Sequence, residues 1–94
     1  LDEIEAALSR HQEVEEAAAF PLPDTEGTTM VAAAVILKNG SSIESSELIH
    51  FLRSLLPAYA LPGIIKIYRI FPRTSSGKID RLKLREFETD KSTN

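Results

Sequence analysis

The run MVAAAVIL at residues 30–37 contains only apolar residues. It is shorter than a typical helix, and its β-branched ends favour an extended backbone. A strand without a polar face suits the centre of a sheet that is covered on both sides. We therefore predict that residues 30–37 form the central strand of a small sheet.

Two further strands are predicted, one before this run and one after it. Residues 13–22 are rich in small apolar side chains and are closed by Pro21 and Pro23, and residues 23–27 have the composition of a turn. Residues 64–71, with the sequence IIKIYRIF, are β-branched and partly alternating. The sheet is therefore expected to have three strands.

A first helix is predicted at the beginning of the chain, ending near His11. Leu1, Ile4 and Leu8 recur at helical spacing, and carboxylates crowd the first turn, where the helix dipole favours negative charge.

A second helix is predicted from a stripe of large apolar side chains at helical spacing. The stripe consists of Leu48, Phe51, Leu52, Leu55 and Leu56. Ser45 and Ser46 are its candidate caps, and Pro57 is expected to stop it.

A short last helix is predicted after Asp80, which stands where an N-cap would. Leu82, Leu84 and Phe87 can anchor one or two turns, whereas residues 89–94 lack apolar anchors and are predicted to be a disordered tail. The element order is αββαβα. This order predicts an α+β fold in which a small, mostly antiparallel three-stranded sheet packs with two to three helices.

Composition excludes several classes of protein. The chain has 94 residues, enough for one small domain, and 43% hydrophobic with 27% charged residues is ordinary for a soluble globular fold. No apolar run is long enough to span a bilayer, and the acidic first residues do not resemble a signal peptide. The absence of cysteine excludes disulfides and thiolate metal sites and fits a cytoplasmic location, while two histidines far apart in sequence argue against zinc.

The charge is unevenly distributed along the chain. Three basic and ten acidic residues precede Lys66, whereas eight basic and four acidic residues follow from that position, so the net charge changes from −7 to +4. An anionic ligand would therefore meet the C-terminal third of the chain. The alternative is an ordinary solvated helix face.

Lys78 lies in the most distinctive loop, RTSSGKIDR at residues 73–81. The turn formers at residues 75–77 leave no bulky neighbour to bury the lysine, so its ammonium is expected to be exposed. A mobile ammonium is suited to neutralising a carboxylate or phosphate oxygen, although a merely solvated loop lysine is the common alternative. The loop is not a phosphate-binding P-loop, because Pro72 and Ile79 replace the required glycine and hydroxyl residue.

Three segments resemble the last conserved signatures of the adenylate-forming superfamily, which includes nonribosomal peptide synthetase adenylation domains, acyl-CoA synthetases and luciferases. They are LDEIE at residues 1–5, LPAYALP at residues 56–62 and SGKIDR at residues 76–81. The resemblance covers essentially the whole chain in the right order. The Asp80-Arg81 pair is most similar to the amino-acid-activating members.

The resemblance implies that residues 1–88 are the small C-terminal lid of a larger ligase of nonribosomal peptide or antibiotic synthesis. The N-terminal adenylation core and the hinge, absent from this chain, would bind ATP, Mg²⁺ and the acid. A carboxylate, expected to be that of an amino acid, would attack ATP with loss of pyrophosphate. The thiol of a carrier-protein phosphopantetheine arm would then capture the acyl-adenylate, and this fragment alone would be inactive.

The same resemblance assigns roles to single residues. Lys78 would be the catalytic residue, bridging the acid and the nucleotide during adenylate formation. Arg73, Ser76 and Gly77 would lie in the loop that faces nucleotide and substrate. No residue of the chain is expected to bind a metal.

Four residues are assigned to structural motifs. Asp80 and Arg81 are expected to hold the loop and the helix that follows it. Tyr59 and Pro62 belong to a connection in which the tyrosine ring is expected to pack in the core. The family's Tyr-Met-x-Pro run lacks its methionine here.

Two alternatives stay open. The lid could belong to an acyl-CoA or fatty-acyl-AMP ligase, whose loops have similar sequences. A separate α+β module could instead bind nucleic acid through Tyr68 and Arg69, but aromatic residues are only 6% of the chain and most are expected in the core. We therefore expect neither nucleic acid nor a membrane as a partner.

Overall fold

The structure, a computed structural model, describes residues 2–24 and 26–92, with side chains as far as Thr89. Its elements are α1 (Asp2–Ser9), β1 (Val14–Pro23), β2 (Thr29–Leu37), α2 (Ser45–Arg53), a 3₁₀ turn (Ala58–Ala60), β3 (Ile64–Tyr68) and α3 (Arg81–Ser92). The predicted order αββαβα and the α+β class are confirmed.

The strand order in the sheet is β1-β2-β3, so the apolar run is the central strand, as predicted. Strand β1 pairs antiparallel to β2 from Pro23↔Thr29 to Val14↔Leu37, with a bulge near Val14. Strand β3 pairs parallel to β2, because the connection between them crosses over through α2. The longer pairing makes the mixed sheet mostly antiparallel.

The sheet has a core on each face because successive residues of a strand point to opposite sides. Ala33 and Val35 belong to the first core cluster, under α1 and α2, while Ala32 and Ala34 belong to the second core cluster, on the other face. The remaining fully buried large side chains of the first cluster are Leu8, Leu48 and Leu52. In the second cluster, Phe20 and Leu84 are fully buried, and Phe71 joins them.

Two predicted boundaries are wrong. The N-cap of α2 is Glu44, which makes no side-chain capping bond, and Ser45 and Ser46 lie inside the first turn instead. Strand β3 ends at Tyr68, before the predicted Phe71, since the chain turns there to place Phe71 in the second core cluster and leaves Ile70 78% exposed.

Tyr59 is also misassigned by the sequence. It is 93% exposed, whereas Pro62 in the same connection is buried. The 3₁₀ turn between Pro57 and Pro62 directs the ring into solvent, and Leu61 packs against the first core cluster instead.

The ends of the chain and one turn residue are only partly described. Helix α3 includes the backbone of residues 89–92, where the sequence predicts a tail; residues 93–94 lie outside the described part of the chain. Leu1 and Thr25, which belong to the first predicted helix and to the predicted turn, also lie outside it.

Candidate functional site

Residues 72–80, called the lysine hairpin below, form a closed turn between β3 and α3. The Asp80 N–H donates to the Pro72 carbonyl and the Thr74 N–H donates to the Lys78 carbonyl, both at 2.8 Å. Arg73 and Ile79 form an antiparallel β-bridge between these two bonds. The loop therefore has a defined backbone conformation.

The tip of the lysine hairpin depends on its small residues. Gly77 has φ +89°, a left-handed conformation that side chains disfavour, and its N–H donates to the Thr74 carbonyl at 2.9 Å. The Thr74 hydroxyl accepts the Lys78 N–H at 3.3 Å and shares a hydrogen bond with the Ser76 hydroxyl at 3.0 Å. The sequence signals for a turn at this place are confirmed.

Lys78 presents its ammonium to solvent, as the turn formers predict. All residues from 73 to 78 are exposed. Across the described ranges 2–24 and 26–92, no side chain or carbonyl makes a hydrogen bond or ion pair with the Lys78 ammonium. A cation in this position can meet an anion on a second body without first breaking a bond inside its own fold.

Arg73 at the start of the lysine hairpin contacts the domain itself. Its guanidinium donates to a Glu16 carboxylate oxygen at 2.5 Å and to the Gly77 carbonyl at 3.2 Å. The side chains of Arg73 and Glu16 are 40% and 34% exposed. Arg73 is thus adjacent to Lys78 as predicted, but it is held against strand β1.

Arg81 at the other end of the lysine hairpin is paired with Glu5 of helix α1. Arg81 Nε and Nη2 donate to the two oxygens of that carboxylate at 2.9 and 2.8 Å. Glu5 Oε2 also accepts the Ala19 N–H of strand β1 at 2.7 Å. These contacts are those that the predicted holding role of Arg81 requires.

Glu5 is a residue that the sequence reasoning missed. The sequence identifies it only as one of several carboxylates in the first turn of a helix. Its partner Arg81 is 76 positions away, and no local pattern links the two. The available signal is that both residues lie in segments that resemble the same family.

Asp80 caps helix α3, as predicted. Its Oδ1 accepts the Lys83 N–H at 3.1 Å, and its carbonyl accepts the Leu84 N–H at 3.2 Å. Two turns later, the Tyr68 hydroxyl donates to Glu88 Oε2 at 2.5 Å. Burial first, and then this carboxylate, raise the pKa of Tyr68 above its ordinary value.

Tyr68 is therefore part of the packing between β3 and α3. Its ring also meets Phe71 edge to face, with the centroids 5.8 Å apart. Since both the hydroxyl and the ring are engaged, Tyr68 is not available as a stacking platform for nucleic-acid bases.

A second concave region lies beside α2. A cavity of about 470 Å³ is lined by His11, Ser46, Glu47, His50, Phe51 and Ser54. His11 Nδ1 accepts the Glu13 N–H at 3.0 Å, and its ring packs edge to face on Phe51. In the part of the chain that is described, no group of three or more His, Cys, Asp or Glu residues could hold a metal.

The helices also fail the length and hydropathy requirements for crossing a bilayer, as far as the described residues extend.

Comparison with known proteins agrees with the three resembling segments. Residues 3–78 match the model of a family described as the AMP-binding enzyme C-terminal domain. Over 92 residues, the chain is 39% identical to 4-hydroxybutyrate–CoA ligase 1 of Metallosphaera sedula, covering 95% of this chain and 16% of that ligase. It is 37% identical over 84 residues to a linear gramicidin synthase of Brevibacillus parabrevis, covering 89% of this chain and 1% of that synthase.

A solved structure shares the fold. The acyl-CoA synthetase of Brucella canis superposes with a TM-score of 0.85 at 37% sequence identity. The match covers 97% of this chain and 17% of that synthetase. The chain thus spans less than a fifth of the length of each of these three proteins.

Proposed function

The chain belongs to the family of AMP-binding enzyme C-terminal domains, and we propose that it supplies Lys78 as a mobile cation to the active site of an AMP-forming acid–thiol ligase. The observation that supports this role is the exposed Lys78 ammonium, which has no partner within the described fold, on a hairpin whose two ends are bonded to that fold. The rest of the ligase, including its N-terminal core, would supply the substrate pocket.

The first half-reaction explains why a cation is needed. A carboxylate oxygen of the acid forms a bond to the α-phosphorus of ATP, and the bond from that phosphorus to the oxygen of pyrophosphate breaks. Both reactants are anions, so they repel each other on approach, and negative charge builds up on the phosphoryl oxygens. The Lys78 ammonium between them would offset that charge, most strongly where the closed site excludes water.

The second half-reaction explains why the cation should be mobile. The thiol sulfur must bond to the acyl carbon while AMP leaves, and it needs access to the same carbonyl group. A lysine on a separate domain can be inserted for the first step and withdrawn for the second. The lysine hairpin suits such a transfer, because its Lys78 ammonium loses no bond within the domain when it leaves or returns.

ATP and Mg²⁺ are assigned mainly to the N-terminal core. The described residues include no cluster for a metal, and the lysine hairpin offers Lys78 with the exposed Ser76 and Gly77 beside it. We propose that these residues approach the bound nucleotide only when the domain closes.

The acid and the acceptor thiol have two candidate assignments. An amino acid and a carrier protein are supported by the Asp80-Arg81 pair and by the similarity to the linear gramicidin synthase. A CoA ligase is supported by the similarity to 4-hydroxybutyrate–CoA ligase 1 and to the Brucella canis synthetase. Both acceptors present a phosphopantetheine thiol, so Lys78 would have the same role in either case.

A substrate panel separates the two assignments. Pyrophosphate exchange by the complete ligase should be measured with the standard amino acids and with aliphatic and hydroxylated carboxylic acids. Exchange with an amino acid, followed by loading of a phosphopantetheinylated carrier protein but not of coenzyme A, would establish the first assignment. Exchange with an aliphatic acid and thioester formation on coenzyme A would establish the second.

Lys78→Ala in the complete ligase tests the role of the lysine. We expect pyrophosphate exchange to fall by about 100- to 1,000-fold, the loss typical of a missing transition-state charge partner. Capture of a preformed acyl-adenylate by the thiol should stay close to wild type. Lys83→Ala, which removes another exposed cation nearby, is the matched control and should leave both steps unchanged.

Near wild-type exchange by Lys78→Ala would contradict the proposal. The 94-residue chain by itself should also neither hydrolyse ATP nor bind it tightly. Micromolar ATP binding by this chain in calorimetry would favour a self-contained nucleotide module instead.

A further inference from the structure

We propose that Glu5 is a positioning residue for Lys78, acting through Arg81 at the base of the lysine hairpin. This inference rests on the proposed function, because it concerns where the catalytic cation is held during adenylate formation. Glu5 itself lies on helix α1 and need not touch the substrate.

The lysine hairpin is attached to the domain by an ion pair at each end. Arg73 near its start bonds to Glu16, and Arg81, the residue directly after the hairpin, bonds to Glu5. Each arginine belongs to the loop region, and each carboxylate belongs to the α1–β1 part of the fold. The two pairs therefore fix the orientation of the hairpin relative to the sheet.

The Glu5–Arg81 pair is the stronger of the two by its geometry. Arg81 donates to both oxygens of Glu5, and the Glu5 side chain is only 19% exposed. A two-point arginine–carboxylate contact restricts direction as well as distance. Glu16, by contrast, accepts a single guanidinium bond and is 34% exposed, so solvent screens its charge more.

Glu5 is itself held in place by the sheet. The Ala19 N–H of β1 donates to Glu5 Oε2 at 2.7 Å, which fixes the carboxylate that receives Arg81. Arg81 directly follows Asp80, whose N–H closes the base of the hairpin on the Pro72 carbonyl. A continuous set of bonds thus runs from the sheet through Glu5 and Arg81 to a point three residues from Lys78.

Loss of this set of bonds should impair one half-reaction selectively. The hairpin would keep its own backbone bonds but would adopt more orientations relative to the sheet. Adenylate formation needs the ammonium at a defined place, and a displacement of about 1 Å can cost about 100-fold in rate. Thiol capture takes place after Lys78 has been withdrawn, so it should not depend on the hairpin orientation.

The test uses Glu5→Gln in the complete ligase, with the acid and thiol that the substrate panel identifies. Glutamine keeps an oxygen for the Ala19 N–H but loses the charge and one acceptor for Arg81. We expect pyrophosphate exchange to fall by about 10- to 100-fold, with thiol capture of preformed adenylate within about twofold of wild type. Glu3→Gln, an exposed neighbour on the same helix, is the matched control and should leave both rates unchanged.

A double mutant separates positioning from a structural role. In Lys78→Ala/Glu5→Gln, exchange should be no lower than in Lys78→Ala, because Glu5 then has no lysine to position. A loss that multiplies that of Lys78→Ala would overturn the inference. So would equal losses in both half-reactions for Glu5→Gln, which indicate general destabilisation.

Arg81→Lys gives a second route if Glu5→Gln folds poorly. It keeps the positive charge but removes the two-point contact, so it should lower exchange by less than Glu5→Gln while sparing thiol capture. Unchanged exchange in both Glu5→Gln and Arg81→Lys, with Lys78→Ala impaired, would overturn only this inference. Unchanged exchange in Lys78→Ala would refute the proposed function, and this inference with it.

Discussion

Two turns of this domain share a backbone feature and differ in what they expose. The aspartate turn, residues 24–28, joins β1 to β2, and the lysine hairpin, residues 72–80, joins β3 to α3. Each contains a glycine with positive φ, Gly27 at +85° and Gly77 at +89°. In both places an added Cβ would meet nothing within 4 Å, so the glycine is required by its backbone angle and not by crowding.

The polar groups of the aspartate turn are satisfied within the turn. The Asp24 carboxylate accepts the N–H groups of Glu26 and Thr28 at 2.9 and 3.0 Å, together with the Thr28 hydroxyl. The bond from that hydroxyl is the main reason that the pKa of Asp24 lies below its ordinary value. No charged group of this turn is bonded to the rest of the fold through these contacts.

The lysine hairpin has the opposite arrangement. Its flanking arginines are bonded to Glu16 and Glu5 of the body, while Lys78 at its tip has no partner among the described residues. A turn whose charges are neutralised locally serves to connect strands. A turn that is fixed at its ends and presents an unneutralised charge can act on another molecule.

The largest effect that we predict concerns the anchoring of the hairpin through α3. Leu84 is fully buried in the second core cluster, and Leu84→Ala should lower the free energy of unfolding by about 2–5 kcal/mol. Urea unfolding of the 94-residue chain measures this. Leu82→Ala on the same helix, at a side chain that is 64% exposed, should change it by no more than about 0.5 kcal/mol. Equal effects of the two changes would mean that α3 does not anchor the hairpin.

The two glycines provide the most direct test of the comparison. Gly27→Ala and Gly77→Ala should each cost about 1–2 kcal/mol of stability, because both place a Cβ at positive φ. Only Gly77→Ala should slow pyrophosphate exchange in the complete ligase, since it distorts the loop that presents Lys78. Similar exchange rates for the two variants would remove the functional distinction between the turns.

Tyr68→Phe should have a smaller effect, about 1 kcal/mol, through loss of the hydrogen bond to Glu88. The folded protein raises the pKa of Tyr68, so this stabilisation is complete below the unfolded value of about 10 and is lost as the pH rises from there through the folded value. The unfolding free energy of the wild type should therefore fall more steeply than that of Tyr68→Phe above about pH 10. Tyr59→Phe, at a ring that is 93% exposed, is the control and should leave stability unchanged.

The smallest effect is expected in the aspartate turn. Since the lowered pKa of Asp24 favours its charged form in the folded chain, its contribution is present above the unfolded pKa and declines as the pH falls through the folded one. Thr28→Val should move the Asp24 pKa back toward its ordinary value, which an NMR titration of the carboxylate measures. No change in exchange activity should accompany it.

The features that the sequence predicted correctly depend on neighbouring residues. The apolar run 30–37 identifies the central strand, the Asp80 cap follows from its place before an apolar pattern, and the turn formers before Lys78 predict its exposure. In each case the residue and the cause lie within one element or one turn. Local preference and tertiary structure agree at these places.

The features that were missed depend on contacts between distant parts of the chain. The Glu5–Arg81 pair joins the two ends of the sequence, and the parallel pairing of β3 depends on the crossover through α2. Tyr59 has the composition of a core residue, but the prolines around it set the backbone direction that exposes it. The cap of α2 shows that favourable residue types can be displaced by one position when the fold sets the start of a helix.

The bond from Ala19 to Glu5 has a further consequence for solubility. Strand β1 is an outer strand, and an outer strand normally offers backbone donors to any extended segment that approaches. On the side facing away from β2, the Ala19 donor is already taken by Glu5, and the next two positions of the same parity, Pro21 and Pro23, have no N–H to give. A foreign strand would find three successive positions unable to donate, so this border of the sheet resists aggregation even when the domain is detached from its neighbour.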